Sequence, residues 1–417
     1  YLGLNANLVF CMYIPRHLHS TLRALMQQFP AVLVTGPRQV GKSTLLQQVA
    51  QDYAYASFDD PLLLAQAKEE PQLFLLNYPE KVILDEVQYA PELFSLLKLT
   101  IDKQQRNGLF LLSGSQAFEL MQNVSETLAG RIAILKLSGL SLREIQRNTF
   151  GQPFIPSKDY LQKREAYLQE TASIWQVIHQ GYMPRLYQQE TDWHIYYASY
   201  VATYIERDVR HIANISSTLD FTRFMVAVAA RSGELLNYNN VAQEVGVSAE
   251  TVKRWIAILQ TSGIIYLLQP YANNHLKRAI KTPKVYMLDT GLMAWLTKWL
   301  TPETIQQGAK SGQFFKTFVV SEIIKSFYNQ GKEPPIYFYR DTDQKEIDIL
   351  IEDGQTLYPV EIKTTASPDK RMVKAFDILR ANLPKNELTV AHGTIINQYP
   401  QKLWLAENLV ALPLTYV

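Results

Sequence analysis

The 417-residue chain holds one cysteine, Cys11. A lone thiol cannot close an internal disulfide and cannot supply a cysteine-rich zinc site. The seven histidines are scattered without metal-ligand spacing. No run approaches the ~18 consecutive apolar residues of a membrane-spanning helix, so no membrane partner is expected. The net charge of +2 gives the whole chain no polyanion-binding character. Nucleic-acid contact would have to be local. Taken together, these absences imply a reducing, cytoplasmic setting. Residues 1–12 lack the basic stretch and small-residue cleavage site of a signal peptide. Because Met12-Tyr-Ile-Pro-Arg16 reads as a natural start, residues 1–12 are expected to be a tag or upstream leader without fixed structure. Apolar residues make up 47% of the chain, enough for each of about two to four domains to bury a core.

What is present is a phosphate-binding signature. Residues 36–43 read Gly-Pro-Arg-Gln-Val-Gly-Lys-Ser, which satisfies G-x-x-x-x-G-K-S. The apolar run Ala31–Thr35 before it reads as a buried strand, and Thr44–Ala50 after it reads as a helix. Gly36 and Gly41 let the backbone curl so that its N–H groups converge on phosphate oxygens. The helix N-terminus adds positive partial charge. The expected nucleotide contacts are Gly36, Pro37, Arg38, Gln39, Val40, Gly41, Lys42, Ser43 and Thr44. Lys42 would reach the β/γ-phosphates and Ser43 would bind Mg²⁺. Arg38 reads equally as a surface residue.

A second motif follows in Lys81-Val-Ile-Leu-Asp-Glu-Val-Gln88. Asp85 ends a short apolar strand and has the place of the Walker B aspartate that holds Mg²⁺. Glu86 is the expected general base for water attacking the γ-phosphate. A third strand ends in Ser113-Gly-Ser-Gln116, where Ser115 and Gln116 are candidate γ-phosphate sensors. Arg131 is a candidate for stabilising transition-state charge, in cis or from a neighbouring subunit, and reads equally as a surface arginine.

Strands expected near Ala31, Tyr55, Val82, Leu109 and Ile132 alternate with helical stretches, which implies an α/β fold with a parallel sheet covered on both faces. The strand at Ala54–Phe58 falls between the two motifs, which fits the additional-strand class of P-loop ATPases. The expected divisions are 13–150 for this domain, 151–235 for a helical linker or lid, 236–300 for a winged helix and 301–417 for a C-terminal α/β domain. Tyr196, Tyr197, Tyr200 and Tyr204 recur at helical spacing and are expected to be core. Glu206-Arg-Asp208 continues that helix, where structural ion pairs are expected. Tyr238–Leu259 has helix-turn-helix grammar, with a turn at Gly246 and Ser248 as N-cap. Ile264–Leu268 and Lys284–Leu288 are candidate wing strands. Ala249, Glu250, Thr251, Lys253 and Arg254 would face a DNA groove. The cations of His275–Lys284 would meet phosphates. The other reading of this element is a lid or subunit contact.

Near the C-terminus, Lys345–Ile351 and Leu357–Lys363 read as a hairpin around Gly354. Glu346 and Asp348 are expected on one face of its first strand, with Ile347 and Ile349 on the other. The pairing would bring Asp348, Glu361 and Lys363 together, two carboxylates for a divalent metal and a lysine to orient water. Cross-strand ion pairing is the alternative.

These motifs, with Leu128-Ala-Gly-Arg131, Leu288-Asp-Thr-Gly-Leu292 and Tyr339-Arg-Asp341, resemble a prokaryotic family of AAA-type P-loop ATPases that carry a C-terminal domain similar to the PD-(D/E)XK nuclease fold. The resemblance implies ATP and Mg²⁺ as cofactors, ATP hydrolysis, and Asp348, Glu361 and Lys363 as nuclease-like active residues. The chain departs from the pattern at Lys316, where the family has an acidic residue. Glu322 on the same helix is the candidate to complete the site. Three readings stay open. They are an ATPase coupled to DNA through its winged helix and C-terminal domain, an ATP-gated metal-dependent endonuclease, and a non-cleaving DNA- or protein-binding switch. A homo-oligomer is compatible with each.

Overall fold

The computed structural model describes residues 13–114, 126–170, 173–204, 218–271, 282–341, 343–382 and 388–417. Its first part is a five-stranded parallel sheet made of β1 (Ala31–Thr35), β2 (Ala54–Ser57), β3 (Val82–Asp85), β4 (Phe110–Gly114) and β5 (Ile132–Lys136), in spatial order β2-β3-β4-β1-β5. Helices α1 (Leu18–Met26), α2 (Lys42–Val49), α3 (Pro61–Glu69), α4 (Pro71–Leu76) and α5 (Leu93–Gln104) pack around it. The residues of β1 alternate between two cores. Val32 and Val34 join one cluster with Leu45 and Leu46 of α2, while Ala31 and Leu33 join another with Phe94 and Leu97 of α5. Both faces are therefore buried, as the continuous apolar runs require. The strand inserted between the two motif strands is β4, not β2. β2 lies at the sheet edge, because sequence order and spatial order differ in a crossover sheet.

The middle part is helical: α6 (Leu142–Ile145), α7 (Lys158–Glu165), α8 (Ile174–Gln180), α9 (Arg185–Gln188), α10 (Trp193–Tyr204) and α11 (Thr218–Ala229). The four tyrosines of α10 are buried in the larger core, as their spacing requires. Then come α12 (Tyr238–Val245) and α13 (Ala249–Thr261), joined by a tight turn. Gly246 has φ 83°, a conformation costly for any residue with a Cβ. The Ser248 side chain accepts from the Thr251 N–H and caps α13. A two-stranded antiparallel sheet follows, β6 (Ile265–Leu268) with β7 (Lys284–Met287). Helices α14 (Thr290–Leu296) and α15 (Pro302–Gln307) lead to α16 (Ser311–Tyr328).

The last part is a mixed seven-stranded sheet. Its strands are β8 (Ile336–Arg340), β9 (Glu346–Asp353), β10 (Thr356–Ile362), β11 (Thr389–Val390), β12 (Gly393–Asn397), β13 (Leu403–Ala406) and β14 (Leu409–Pro413), with helix α17 (Lys374–Asn382) against it. β9 and β10 form the expected hairpin around Gly354. The expected alternation on β9 does not hold. Ile347 packs in one cluster and Ile349 in the other. Tyr339 pairs with Ile347 and Tyr337 with Leu350, so Asp348 and Ile349 together oppose Phe338. This bulge resets the alternation.

Candidate functional site

The loop between β1 and α2 curls tightly. Gly36 has φ 150° and Gly41 has φ 90°. A Cβ at Gly36 would lie 2.0 Å from the Leu137 carbonyl oxygen, so the backbone there admits no side chain. Lys42 and Ser43 open α2. The Lys42 ammonium donates to the carbonyls of Gly36 at 3.1 Å and Pro37 at 2.9 Å, which places it over the concave side of the loop. Ser43 Oγ donates to Asp85 Oδ1 at 2.9 Å. The two expected Mg²⁺-binding side chains are thus adjacent. Asp85 is nearly enclosed, and its Oδ2 accepts from the Tyr55 hydroxyl at 2.7 Å. Ser113 Oγ donates to Asp85 Oδ1 as well. Burial, and then the bond to Asp85, push the Tyr55 hydroxyl well above its ordinary pKa, so it stays a donor.

Glu86 has φ 58° and ψ 44°, an unusual conformation for a residue with a side chain. Its N–H donates to Ser113 Oγ at 3.4 Å, and its carboxylate accepts from Gln88 Nε2 at 2.5 Å. A cavity of about 660 Å³ opens over this surface. One wall comes from Arg38, Val40, Lys42, Ser43, Thr44 and Glu86, and the opposite wall from Pro184, Arg185, Gln188, Gln189 and Thr203 of the helical middle. Tyr13, Ile14 and Arg16 border it. Arg38 also donates to the Tyr89 hydroxyl at 3.3 Å.

Ser115 and Gln116 lie outside the described residues, as do Glu206, Arg207 and Asp208. The structure does not bring Arg131 to the cavity. Parallel strands put the phosphate loop at the C-terminal end of β1, whereas Arg131 precedes β5 at the opposite end of the sheet. There its N–H groups pair with Asp102 at 2.6 and 3.1 Å. Within one chain it cannot reach the phosphates. Sequence reasoning missed Tyr55 and Ser113, and it missed the wall from Pro184 to Thr203. Arg16 stood inside the quoted Tyr-Ile-Pro-Arg motif without a role.

The C-terminal cluster has a different character. Asp348 is buried, and its Oδ1 pairs with the Lys316 ammonium of α16 at 2.5 Å. Its Oδ2 accepts from the Ile362 N–H at 3.0 Å. Glu361 pairs with Lys363 at 2.6 Å. Glu346 pairs with Lys284, which is itself buried. Burial alone would raise the Asp348 carboxyl, but Lys316 and Lys284 outweigh it and hold the group below its ordinary value. Burial and the nearby Asp348 charge push Glu361 up to about 7, against the pull of Lys363. Both carboxylates are taken by internal ammonium groups. Among the described residues, no group of three or more His, Cys, Asp or Glu could hold a metal ion. The metal role expected for Asp348 and Glu361 does not fit this donor set. Nor does Glu322 complete it, since its carboxylate accepts from the Leu142 N–H and pairs with Lys325. Lys284, counted among the wing cations, is likewise held by Glu346. The rest of the basic stretch, His275–Lys281, lies outside the described residues. At the start of α13, Glu250, Lys253 and Arg254 are exposed, with Glu250 and Lys253 3.7 Å apart.

Comparison with known proteins agrees with the first part of this geometry. Residues 28–146 match the family model described as AAA domain. Residues 171–303 and 311–417 match two domains of unknown function, DUF8612 and DUF4143. Curated relatives include uncharacterized proteins Rv2008c of Mycobacterium tuberculosis and Mb2031c of Mycobacterium bovis. Each is 26% identical over 97% of this chain and 85% of its own length. Similar solved structures include the Walker-type ATPase PABY2304 of Pyrococcus abyssi, with a TM-score of 0.40 and 14% identity over 67% of this chain and 94% of that one. Another is a single-site variant of RuvB from Thermotoga maritima, with a TM-score of 0.29 and 17% identity over 60% of this chain and 86% of that one. Among the described residues no helix is long and apolar enough to cross a membrane. The part of the chain that holds the phosphate loop and Asp85 is thus similar to an AAA-type P-loop ATPase domain.

Proposed function

We propose that the protein is a Mg²⁺-dependent ATP hydrolase whose nucleotide state controls a winged-helix element and a C-terminal domain that binds without cutting. The observation that carries the ATPase reading is the convergence of Lys42, Ser43 and Glu86 on one cavity, with Asp85 hydrogen-bonded to Ser43. The residues fit a nucleotide and its metal. Gly36 and Gly41, both at positive φ, let the loop curl, and Ser43 with Asp85 offers a hydroxyl and a carboxylate side by side. They would hold Mg²⁺, which when bound neutralises developing phosphate charge. Loop N–H groups and Lys42 would grip the phosphates, and Tyr55 and Ser113 orient Asp85. Glu86 would accept the proton of the attacking water.

Expected outcomes are loss of ATP binding in Lys42→Ala, and retained binding with turnover cut at least about a hundredfold in Glu86→Gln. Binding isotherms and phosphate-release assays on the two variants check this. Full turnover in Glu86→Gln would sink the base assignment.

The Lys316–Asp348 pair favours the non-cleaving reading over the endonuclease reading. The exposed Lys253 and Arg254 at the start of α13 favour duplex DNA as the partner. Mobility shifts at two salt concentrations test it. Affinity should fall steeply with salt and drop in a Lys253→Ala/Arg254→Ala protein. Salt-insensitive binding, or none, would redirect the search to a protein partner.

A further inference from the structure

Arg16 is 5% exposed, and every bond of its guanidinium goes inward. Nη1 donates to the Val40 carbonyl, inside the phosphate loop, at 2.7 Å. Nη2 donates to the carbonyls of Ser138 at 2.7 Å and Gly139 at 3.3 Å, just after β5. Nε pairs with Glu144 at 3.1 Å. Glu144 closes the capping box of α6 and accepts from the N–H groups of Ser141 and His17, each at 2.8 Å. Burial would raise this carboxyl. Arg16, His17 and the backbone donors win, and it stays charged below its ordinary value.

The same short segment is gripped from its other side by α16. The Leu142 N–H donates to Glu322 Oε2 at 2.9 Å. The Lys325 ammonium donates to the Leu140 carbonyl at 2.9 Å and to Glu322 Oε1 at 2.5 Å. Glu322 and Lys325 are 4% and 1% exposed. Hydrogen bonds therefore run from Val40 through Arg16 and residues 138–144 into α16. That helix also carries Lys316, which holds Asp348. Glu322 lies six positions after Lys316, about 9 Å of rise along one rigid element.

We propose that Arg16 and Glu322 are positioning residues of a single buried brace, through which α16 and its lysine–carboxylate cluster help to hold the phosphate loop in its binding shape. The inference rests on the reading of the loop as an ATP site. A loop held concave before binding need not be ordered at the moment of binding, and the avoided ordering cost appears as affinity. Coupling of this kind is reciprocal: whatever ligand moves α16 must change nucleotide affinity, and nucleotide must change affinity for that ligand by the same factor.

The test uses the full chain with Mg²⁺ and a fluorescent ATP analogue, beside steady-state hydrolysis, for wild type, Arg16→Lys, Glu322→Gln, Lys325→Gln and the Arg16→Lys/Glu322→Gln double variant. Arg16→Lys should raise Kd and KM about tenfold and leave kcat within about threefold. Glu322→Gln and Lys325→Gln should raise Kd about threefold, and the double variant should fall short of the product because both changes act through one segment. A merely structural role lowers the folded fraction, which reduces kcat with KM unchanged and shows in the melting curve. Arg16→Lys with wild-type Kd overturns the brace. Wild-type Kd in both α16 variants, or fully multiplicative effects, removes α16 from it. Failure of wild-type protein to bind the analogue overturns the ATP-site reading itself, and the inference falls with it.

Discussion

At the scale of single residues, the two carboxylate sites in this chain behave oppositely. Asp85 is surrounded by neutral hydroxyls from Tyr55, Ser43 and Ser113, which donate to a charge without neutralising it. Asp348 and Glu361 are matched by lysine ammonium groups instead. Glu361 titrates near 7 in the fold and near 4.5 when exposed. The folded state therefore holds the extra proton between these values, and stability falls as pH rises through that window. Glu361→Gln removes the penalty. We expect its melting temperature to exceed that of wild type by a few degrees at pH 8 and to match it at pH 4.5, as differential scanning fluorimetry would show. A uniform shift at both pH values would mean that packing, not charge, sets the difference. Arg131→Ala should leave nucleotide affinity unchanged, since the pair with Asp102 lies across the sheet from the loop. A weakened isotherm would contradict that placement. The loop residues Gly36–Thr44 and the Asp85-Glu86 pair were legible because one contiguous motif builds each. Tyr55 and Ser113 were not, because they reach Asp85 through strand pairing. β2 and β4 flank β3, and no local pattern in the sequence states that order.

At the scale of elements, periodicity predicted well where one rule governed and failed where two competed. The α12–α13 pair follows local chemistry: an N-cap, a left-handed glycine and an apolar face. Ser248→Ala should cost about 1 kcal/mol of stability and leave the rest of the chain unchanged, measurable by chemical denaturation. A loss near zero would show that the Ser248 bond is replaced by water. The bulge on β9 was invisible because alternation was read along one strand, while the extra residue is defined by its neighbour β8. Glu322 was assigned to the Asp348 site because it shares a helix with Lys316. Six residues at about 100° each turn the side chain roughly 240° away, toward residues 140–142. In the phosphate loop, Gly36→Ala sets a Cβ 2.0 Å from the Leu137 oxygen, so the loop must open. Nucleotide binding should be lost while the melting curve changes little, because the change acts on the loop backbone and leaves the strand and helix packing in place. Retained binding would mean that β5 and its following segment can yield.

At the scale of the whole molecule, the question is whether the C-terminal sheet keeps the chemistry that its sequence pattern suggests. The hairpin and the E-x-K spacing are present, and the pattern therefore read as a metal site. What the spacing could not convey is that α16, from a different stretch of chain, delivers an ammonium to Asp348. A cation is already supplied there, covalently, and a divalent ion would have to displace it against a bond of 2.5 Å. Nucleotide-free wild-type protein should show no Asp348-dependent heat on titration with Mn²⁺, and should not cut plasmid or linear DNA with or without ATP. The charge-reversing change Lys316→Glu replaces the ammonium with a third carboxylate beside Asp348 and Glu361, so that protein should gain a Mn²⁺ site that Asp348→Ala abolishes again. Asp348-dependent Mn²⁺ binding in the wild type would falsify the internal-cation account and restore the endonuclease reading. A Lys316→Glu protein that folds yet binds no additional ion would show that the bulge at Asp348–Ile349, rather than the lysine, keeps the two carboxylates from sharing a ligand.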